Sequence, residues 1–523
     1  MTITVEVGPD VTVDQVHAYV TFDGSEPEGV CGVAHNGLAI PLALVETRWE
    51  PLLWDYVDVW RAGSPGNPTA RWSNIAFRAG RRWTRRSFTG VASRTSTARW
   101  NGRRYGYTVD TFAPPAWARK PSSTTSSWTA SRVWRTGGWS LPRWSSSRAA
   151  RWPASRKLDY IADLGVTALW LSPFFKTSFY HGYDTVDFYT VDPRFGTNDD
   201  VRALVDAAHA RGLRVILDFV ANHVGTDFAP FAAAAADPAD PHRAWFSFGP
   251  EYKHGYRSFF DVAAMPQLDT DHPDARRYLL DAAQFWLREY DVDGYRLDYA
   301  AGPSHLFWNH FRAACRAVKP DCLLFGEVTH AGAQLRTYTG RLDGCLDFAF
   351  CRSVRQLCAG ATPAISLAQF ANTIQRSRRY FGQPDQFILP AFIDNHDMNR
   401  FLAVADDDVA RLKLAAALLF ALGDTPILYY GTEVGLSQPR LKGPYREESR
   451  HPMRWGDAQD RELLAWFKEW IALRRAHPAL SDGEVRTLHL DEKAGVWEFA
   501  RVGVHDEVRF RLDLRARTVT HLG

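Results

Sequence analysis

An α/β fold, a (β/α)8 TIM barrel flanked by two β domains, is predicted by three features of this 523-residue chain. Amphipathic helical stretches alternate with short apolar runs from Leu158 to Pro478. Those runs lack period-two alternation, as strands buried on both faces do. Polar and charged residues gather just beyond the C-terminal ends of the runs, the rim at which a βα barrel carries its chemistry.

Taken in order, residues 1–115 read as a β-sandwich-like domain, with short strands ITVEV, HAYVTFDG and LAIPLALV separated by Gly, Pro and Asp. Within it, residues 72–103 have no clear period, and residues 120–157 form an anomalous Ser/Arg/Trp-rich segment. From Leu158 the pattern changes. LDYIADLG is helical and ends at Gly165, and VTALWLSP follows as a strand. Asp199 and Asp200 open a helix with Val201, Leu204, Val205 and Ala208 on one face, leading into LRVILDFV. The unit repeats with Leu279, Ala282, Ala283 and Trp286 ahead of DGYRLDYA, and later runs are CLLFGEV, FILPAFIDN and TPILYYG. Strands are expected at 167–171, 214–219, 294–298, 323–327, 346–350, 389–394 and 426–430. An eight-stranded barrel then lacks its first strand, which should precede Leu158 and is predicted to be missing or disordered. Residues 224–263 form a short excursion after the third strand, and residues 479–523 alternate as a small C-terminal β domain.

The net charge of +3 hides two compositions. Val59–Leu158 carries 20 Lys and Arg against one acid, Asp110, while the remainder carries 42 against 58. In a GC-rich gene a shifted reading frame converts acids and Val into Arg, Ser, Trp and Thr, so residues 72–103 and 120–156 have the composition of out-of-frame translation. The basic, Trp-rich stretch has no helical or strand period on which to present phosphate contacts, so no nucleic-acid partner is expected. No apolar stretch of membrane-spanning length and no signal peptide is visible, so a cytoplasmic protein without membrane attachment is expected. The six Cys include no C-x-x-C pair, which argues against structural zinc and for reduced thiols.

The strand-end residues carry the functional argument. VILDFV ends in Asp218 with Asn222 and His223 beyond; DGYRLDYA ends in Arg296 and Asp298; LLFGEV ends in Glu327; AFIDNHD ends in Asp394, Asn395, His396 and Asp397. Asp298, Glu327 and Asp397 on three neighbouring strand ends make a carboxylate cluster whose repulsion raises at least one carboxyl pKa, as a general acid at neutral pH requires. Two carboxylates facing across a sugar-sized cleft are the machinery of glycoside hydrolysis. Trp170, Phe174, Phe175 and Phe179 lie near one strand end and could line sugar subsites or pack the core.

DFVANH, GYRLD, GEV and FIDNHD, in this order, resemble the four signature regions of the α-amylase family, glycoside hydrolase family 13. YHGYD and MPQLD agree, the latter being similar to the MPKLN-type segment of the cyclomaltodextrinase and neopullulanase group, and PYREESRHPMRW resembles a segment after the eighth strand. The resemblance implies Asp298 as nucleophile, Glu327 as general acid/base and Asp397 as the carboxylate that holds sugar hydroxyls. Arg296 would orient Asp298 and keep it charged, His223 and His396 would hydrogen-bond the sugar, Asp218 would support the site, and Tyr183 would stack on the ring. It implies a retaining hydrolase of α-glucosidic bonds, mainly α-1,4, in malto-oligosaccharides, cyclodextrins or related α-glucans, with the two carboxyls about 5–5.5 Å apart. The alternatives are an α-glucan transglycosylase of the same family, or a relative impaired by a damaged first strand. A homodimer is an open expectation.

One departure bears on specificity. Relatives acting on long glucans often carry Lys-His, or at least His, three to four residues beyond the nucleophile, where this chain has Ala301 and Gly302. That His often contributes to a calcium site alongside the Asn matching Asn222, and Asn222 alone does not make one. No metal ligand and no cofactor is therefore assigned, with calcium a weak expectation.

Overall fold

A computed structural model describes residues 2–8, 13–21, 28–30, 32–50, 54–63, 74–80, 88–90, 114–119, 125–127, 154–330, 332–382, 387–441 and 448–523. It divides into two units, residues 1–112 with 365–382, and residues 113–364 with 383–523.

The first unit is built on a six-stranded antiparallel sheet in the spatial order Thr2–Val7, Asp55–Gly63, Leu38–Glu50, Gln15–Thr21, Asn74–Gly80 and Phe88–Gly90. Val7, Val16, Ala18, Ile40, Leu42 and Trp60 form its core. Two of these strands fall inside 72–103, which the sequence left without a period: Asn74–Gly80 pairs along its whole length with Gln15–Thr21, from Gln15 against Gly80 to Thr21 against Asn74. The rest of 72–103 lies outside the described residues. The unit also takes helix Leu367–Phe381, which the sequence boundaries placed in the barrel. Buried charges explain this: Arg376 Nε donates to Asp58 Oδ2 at 2.9 Å, and the Thr373 hydroxyl donates to Asp55 Oδ2 at 2.9 Å.

The second unit is a (β/α)8 barrel. Its strands are β1 (Thr125–Ser127), β2 (Ala168–Leu171), β3 (Arg214–Phe219), β4 (Gly294–Leu297), β5 (Leu323–Gly326), β6 (Gly344–Cys345), β7 (Pro390–Ala391) and β8 (Thr425–Tyr429), all parallel. Ladders run from β8 through β1 and β2 to β6. Bridges from Gly344 to Ile388 and from Asp347 to Ala391 close the ring. Trp170, Ile216, Phe325, Leu346, Ile388, Phe392 and Ile427 share a core cluster.

Two expectations are corrected here. The first strand is present as a three-residue segment, with Thr125 opposite both Ala168 and Ile427. Ladder bonds use backbone groups, so a Ser/Thr segment can occupy the position without an apolar run. The remainder of 120–153 lies outside the described residues. The sixth strand is Gly344–Cys345 rather than 346–350, because Asp347 accepts the Phe350 N–H at 2.8 Å and caps a helix, Phe348–Cys358.

After β3 the excursion carries helix Ala229–Ala236, where Phe231 packs edge-on against Phe246 and Tyr256. Its ends are tied together by Val224 N–H to the Pro266 carbonyl and Leu268 N–H to the Asn222 carbonyl, both 3.0 Å. Past the barrel, strands Glu484–Asp491, Val496–Val502, Glu507–Asp513 and Thr518–His521 form an antiparallel meander over Trp497, Phe499 and Phe510.

Candidate active site

Register places the central side chains. Asp218 on β3 stands opposite Arg296 on β4, and Leu297 stands opposite Gly326 on β5, so Asp298 and Glu327 emerge side by side at the C-terminal rim. Arg296 and Asp298, two residues apart, share one face. The fully buried Arg296 guanidinium ties the cluster together. Nη1 donates to both Asp218 oxygens, at 2.8 and 2.9 Å, and to Asp298 Oδ1 at 2.9 Å, and Nη2 lies 2.9 Å from Glu327 Oε2. The Tyr299 N–H reaches the same Glu327 oxygen at 3.2 Å.

One guanidinium facing three carboxyls leaves this buried cluster short of positive charge. Burial, together with repulsion from Glu327 and Asp218, pushes the Asp298 carboxyl well above the ordinary range against the pull of Arg296. Burial raises Asp218 as well. Arg296 pulls the Asp298 carboxyl toward its ionised form, and it shares that charge with Asp218 and Glu327.

Tyr183 is presented by the turn after residues 175–177. The buried Asp184 accepts the Ser178 N–H at 3.2 Å and the Phe179 N–H at 3.1 Å, and the Thr177 hydroxyl as well. Gly182 has φ +83°, and a Cβ there would collide with the Pro173 carbonyl, so this turn requires glycine. The Tyr183 hydroxyl donates to Asp218 Oδ2 at 3.2 Å and lies 2.5 Å from His396 Nε2, with the two rings stacked at 5.7 Å. His396 Nε2 also lies 3.0 Å from Asp397 Oδ2. Burial works to raise the Asp397 carboxyl, and His396, Arg450 and Arg296 outweigh it and hold it well below the ordinary range.

His223 is fully buried, with its ring stacked on Phe259 at 4.3 Å. Burial lowers its pKa to about 3, so the ring is neutral. The Asn222 side-chain amide, 3.2 Å from Nδ1, favours the tautomer with the proton on Nε2. Asn222 Oδ1 accepts from Gln267 Nε2 at 3.2 Å, and a Cβ on Gly302 would collide with it. Among the described residues no group of three or more His, Cys, Asp or Glu is placed to hold a metal ion.

All eight residues singled out in the sequence thus meet around one rim. Trp170, read in sequence as a subsite or core residue, donates Nε1 to Asp218 Oδ2 at 3.2 Å, and sequence reasoning gave no role to the Phe259 ring over His223 or to Arg450. Phe259 lies in an aromatic-rich loop where nothing distinguishes it from its neighbours. Arg450 lies in the segment after β8, where the signal was a resemblance without a role.

Comparisons with known proteins find relatives of this chain. The family model described as alpha amylase, catalytic domain, matches residues 154–460. Alpha-amylase 2 of Dictyoglomus thermophilum is 38% identical over 332 residues, 62% of this chain and 58% of that one. A cyclomaltodextrinase of Geobacillus thermopakistaniensis is 35% identical over 361 residues, 67% and 60% respectively. Neopullulanase 2 of Thermoactinomyces vulgaris is 34% identical over 374 residues, 70% and 62%. The matches span about three fifths of these relatives' length. A solved cyclomaltodextrinase superposes with TM-score 0.70 and 26% identity over 98% of this chain and 88% of its own. With more than half of its length matched by the catalytic-domain model, this chain belongs to the α-amylase family, glycoside hydrolase family 13.

Proposed function

We propose that the protein is a retaining glycoside hydrolase that cleaves α-glucosidic bonds, mainly α-1,4, in malto-oligosaccharides, cyclodextrins or related α-glucans. The observation that carries this reading is the single Arg296 guanidinium gripping both Asp298 and Glu327, with Asp397 on the adjoining rim. Asp298 attacks the anomeric carbon while Glu327 protonates the leaving oxygen. Water, activated by the Glu327 carboxylate, then releases the sugar with its configuration kept. Glu327 supplies the proton in the acid step and takes one from water in the second. Asp397 holds sugar hydroxyls, Tyr183 offers its ring face, and His396 and the neutral ring of His223 complete the pocket wall. No cofactor takes part in these steps.

Names of the relatives support the substrate class. They include cyclomaltodextrinases, a neopullulanase and an intracellular maltogenic amylase of Bacillus subtilis. Among the described residues no helix is long and apolar enough to cross a membrane. A cytoplasmic location and self-association as a homodimer are part of the proposal.

Purified protein should release reducing sugar from maltotriose and β-cyclodextrin, and the first product seen by proton NMR should be the α-anomer. Asp298→Asn should reduce the rate by roughly 10⁴-fold or more, as loss of a covalent nucleophile does in other hydrolases. A β-anomer as first product would overturn the retaining assignment. Transfer to added maltose in place of hydrolysis would mark the enzyme as a transglycosylase, which shares the covalent intermediate.

A further inference from the structure

Arg450 reaches the active site from a segment fixed on both sides. The buried Arg400 donates Nε to the Ser449 carbonyl at 2.7 Å and Nη1 to the Tyr430 carbonyl at 2.8 Å. The Tyr430 hydroxyl donates to the His451 carbonyl at 2.6 Å. Ser449 is fully buried. The residues before and after Arg450 are thus held by groups at the end of β8 and beyond β7, and the guanidinium extends between them. Its Nε donates to the His396 carbonyl at 2.9 Å and its Nη2 to Asp397 Oδ1 at 2.9 Å. His396 Nε2 meets the other oxygen, Oδ2, at 3.0 Å. The Asp397 N–H also donates to Asn395 Oδ1 at 2.9 Å.

The Asp397 side chain is 46% exposed, whereas that of Asp298 is 9% exposed. A carboxylate that open has free rotamers unless something outside its own strand stops it. His396, buried and fixed by the Tyr183 hydroxyl and ring, meets one Asp397 oxygen, and Arg450 holds the other oxygen and the His396 carbonyl from a separate segment. We propose that Arg450 is a positioning residue, clamping Asp397 and the His396 backbone in one arrangement to receive the sugar hydroxyls. This rests on the glycosidase reading above. Two charge-assisted contacts from one planar fork suit that task better than a lysine point charge. The groups facing Asp397 are His396, Arg450 and Arg296, all of which favour its ionised form, with Asp298 and the Tyr183 hydroxyl also within its field.

The test compares full-length wild type, Arg450→Ala and Arg450→Lys. It measures kcat and KM on maltotriose across pH, and thermal melts in parallel. For Arg450→Ala we expect kcat to fall roughly 10- to 100-fold, the size of a lost charge-assisted pair, with KM nearly unchanged. The titration midpoint of the Asp397 carboxyl, followed by its ¹³C resonance, should move up, Arg450→Lys should recover part of the rate, and millimolar guanidinium should partly rescue Arg450→Ala. A raised KM with unchanged kcat would mean that Arg450 only binds sugar and would overturn the clamp. So would an unmoved Asp397 midpoint. If the alanine variant does not fold, the lysine variant carries the same test through its kcat and Asp397 midpoint. If wild type cleaves no glucan, the glycosidase reading fails by itself. The clamp is then read from the Asp397 carboxyl ¹³C resonance, whose titration midpoint rises in Arg450→Lys or Arg450→Ala if the clamp exists and stays fixed if it does not.

Discussion

Asp298 is under opposing demands. Its attack on carbon needs the ionised form, while burial and two neighbouring carboxyls favour the protonated one. A carboxyl whose pKa is raised on folding contributes stability below its unfolded pKa and loses it as pH rises through the folded value. Asp298→Asn, which keeps an oxygen for Arg296, is therefore expected to raise the melting temperature at pH 7 while removing activity; an unchanged or lower melting temperature would contradict the strain described. Phe260 bears a different strain. It is 74% exposed with φ +46°, in the left-handed region, and packs against Phe259 and Tyr299 beside the Glu327 oxygen. Phe260→Gly relieves the backbone by about 1 kcal/mol, so its stability in urea should hold or rise although an aromatic contact is lost, while KM for maltotriose should increase. Both strains were invisible in sequence. The positions of Asp298, Glu327 and Asp397 were legible because strand-end motifs fix residue type and order, but the sharing of one arginine and the clamp from Arg450 depend on side chains that only the closed barrel brings together.

Among elements, the short turn Thr432–Val434 after β8 holds a buried acid outside the active site. Glu433 accepts the Tyr160 hydroxyl at 2.9 Å, from helix Ala154–Leu164, and burial pushes its pKa up to about 7. Since its ordinary value is 4.5, the folded protein binds more protons between those limits and loses stability as pH rises through about 7. His223 acts in the opposite sense. With a folded value near 3 against 6.5, it contributes stability above pH 6.5 that is lost as pH falls toward 3. Glu433→Gln keeps the tyrosine contact and should remove Glu433's share of the stability lost as pH rises from 4.5 to about 7, so the melting temperature of the variant should fall less over that range than that of wild type; a slope unchanged from wild type would refute the assignment. Elements of four or more strand residues, such as 168–171 and 214–219, could be read as apolar runs because each buries both faces. Gly344–Cys345 and Pro390–Ala391 are too short to carry any period, and β1 has no apolar run.

At the scale of the molecule, closure of the barrel depends on Thr125–Ser127 pairing with β2 and β8 at once. Ser126→Pro removes a backbone donor from a central strand and should cost about 3 kcal/mol in urea unfolding; an effect below about 1 kcal/mol would mean that this strand contributes little to closure. The strongly basic stretch from Val59 to Leu158, which gave no period in sequence, still supplies three described strands, Asn74–Gly80, Phe88–Gly90 and β1. Finally, helix Leu367–Phe381 sets a timetable. Asp55 and Asp58 are buried early in the chain, yet the Thr373 hydroxyl and the Arg376 guanidinium that satisfy them are made more than 300 residues later. During synthesis the first sheet must wait, with two carboxylates held by the Thr47 hydroxyl and the Tyr56 N–H but still without the Arg376 charge, while most of the barrel sequence emerges. A ribosome-bound chain halted before Ile365 should stay protease-sensitive in its first 112 residues, and one halted well after Gly382 should be protected there.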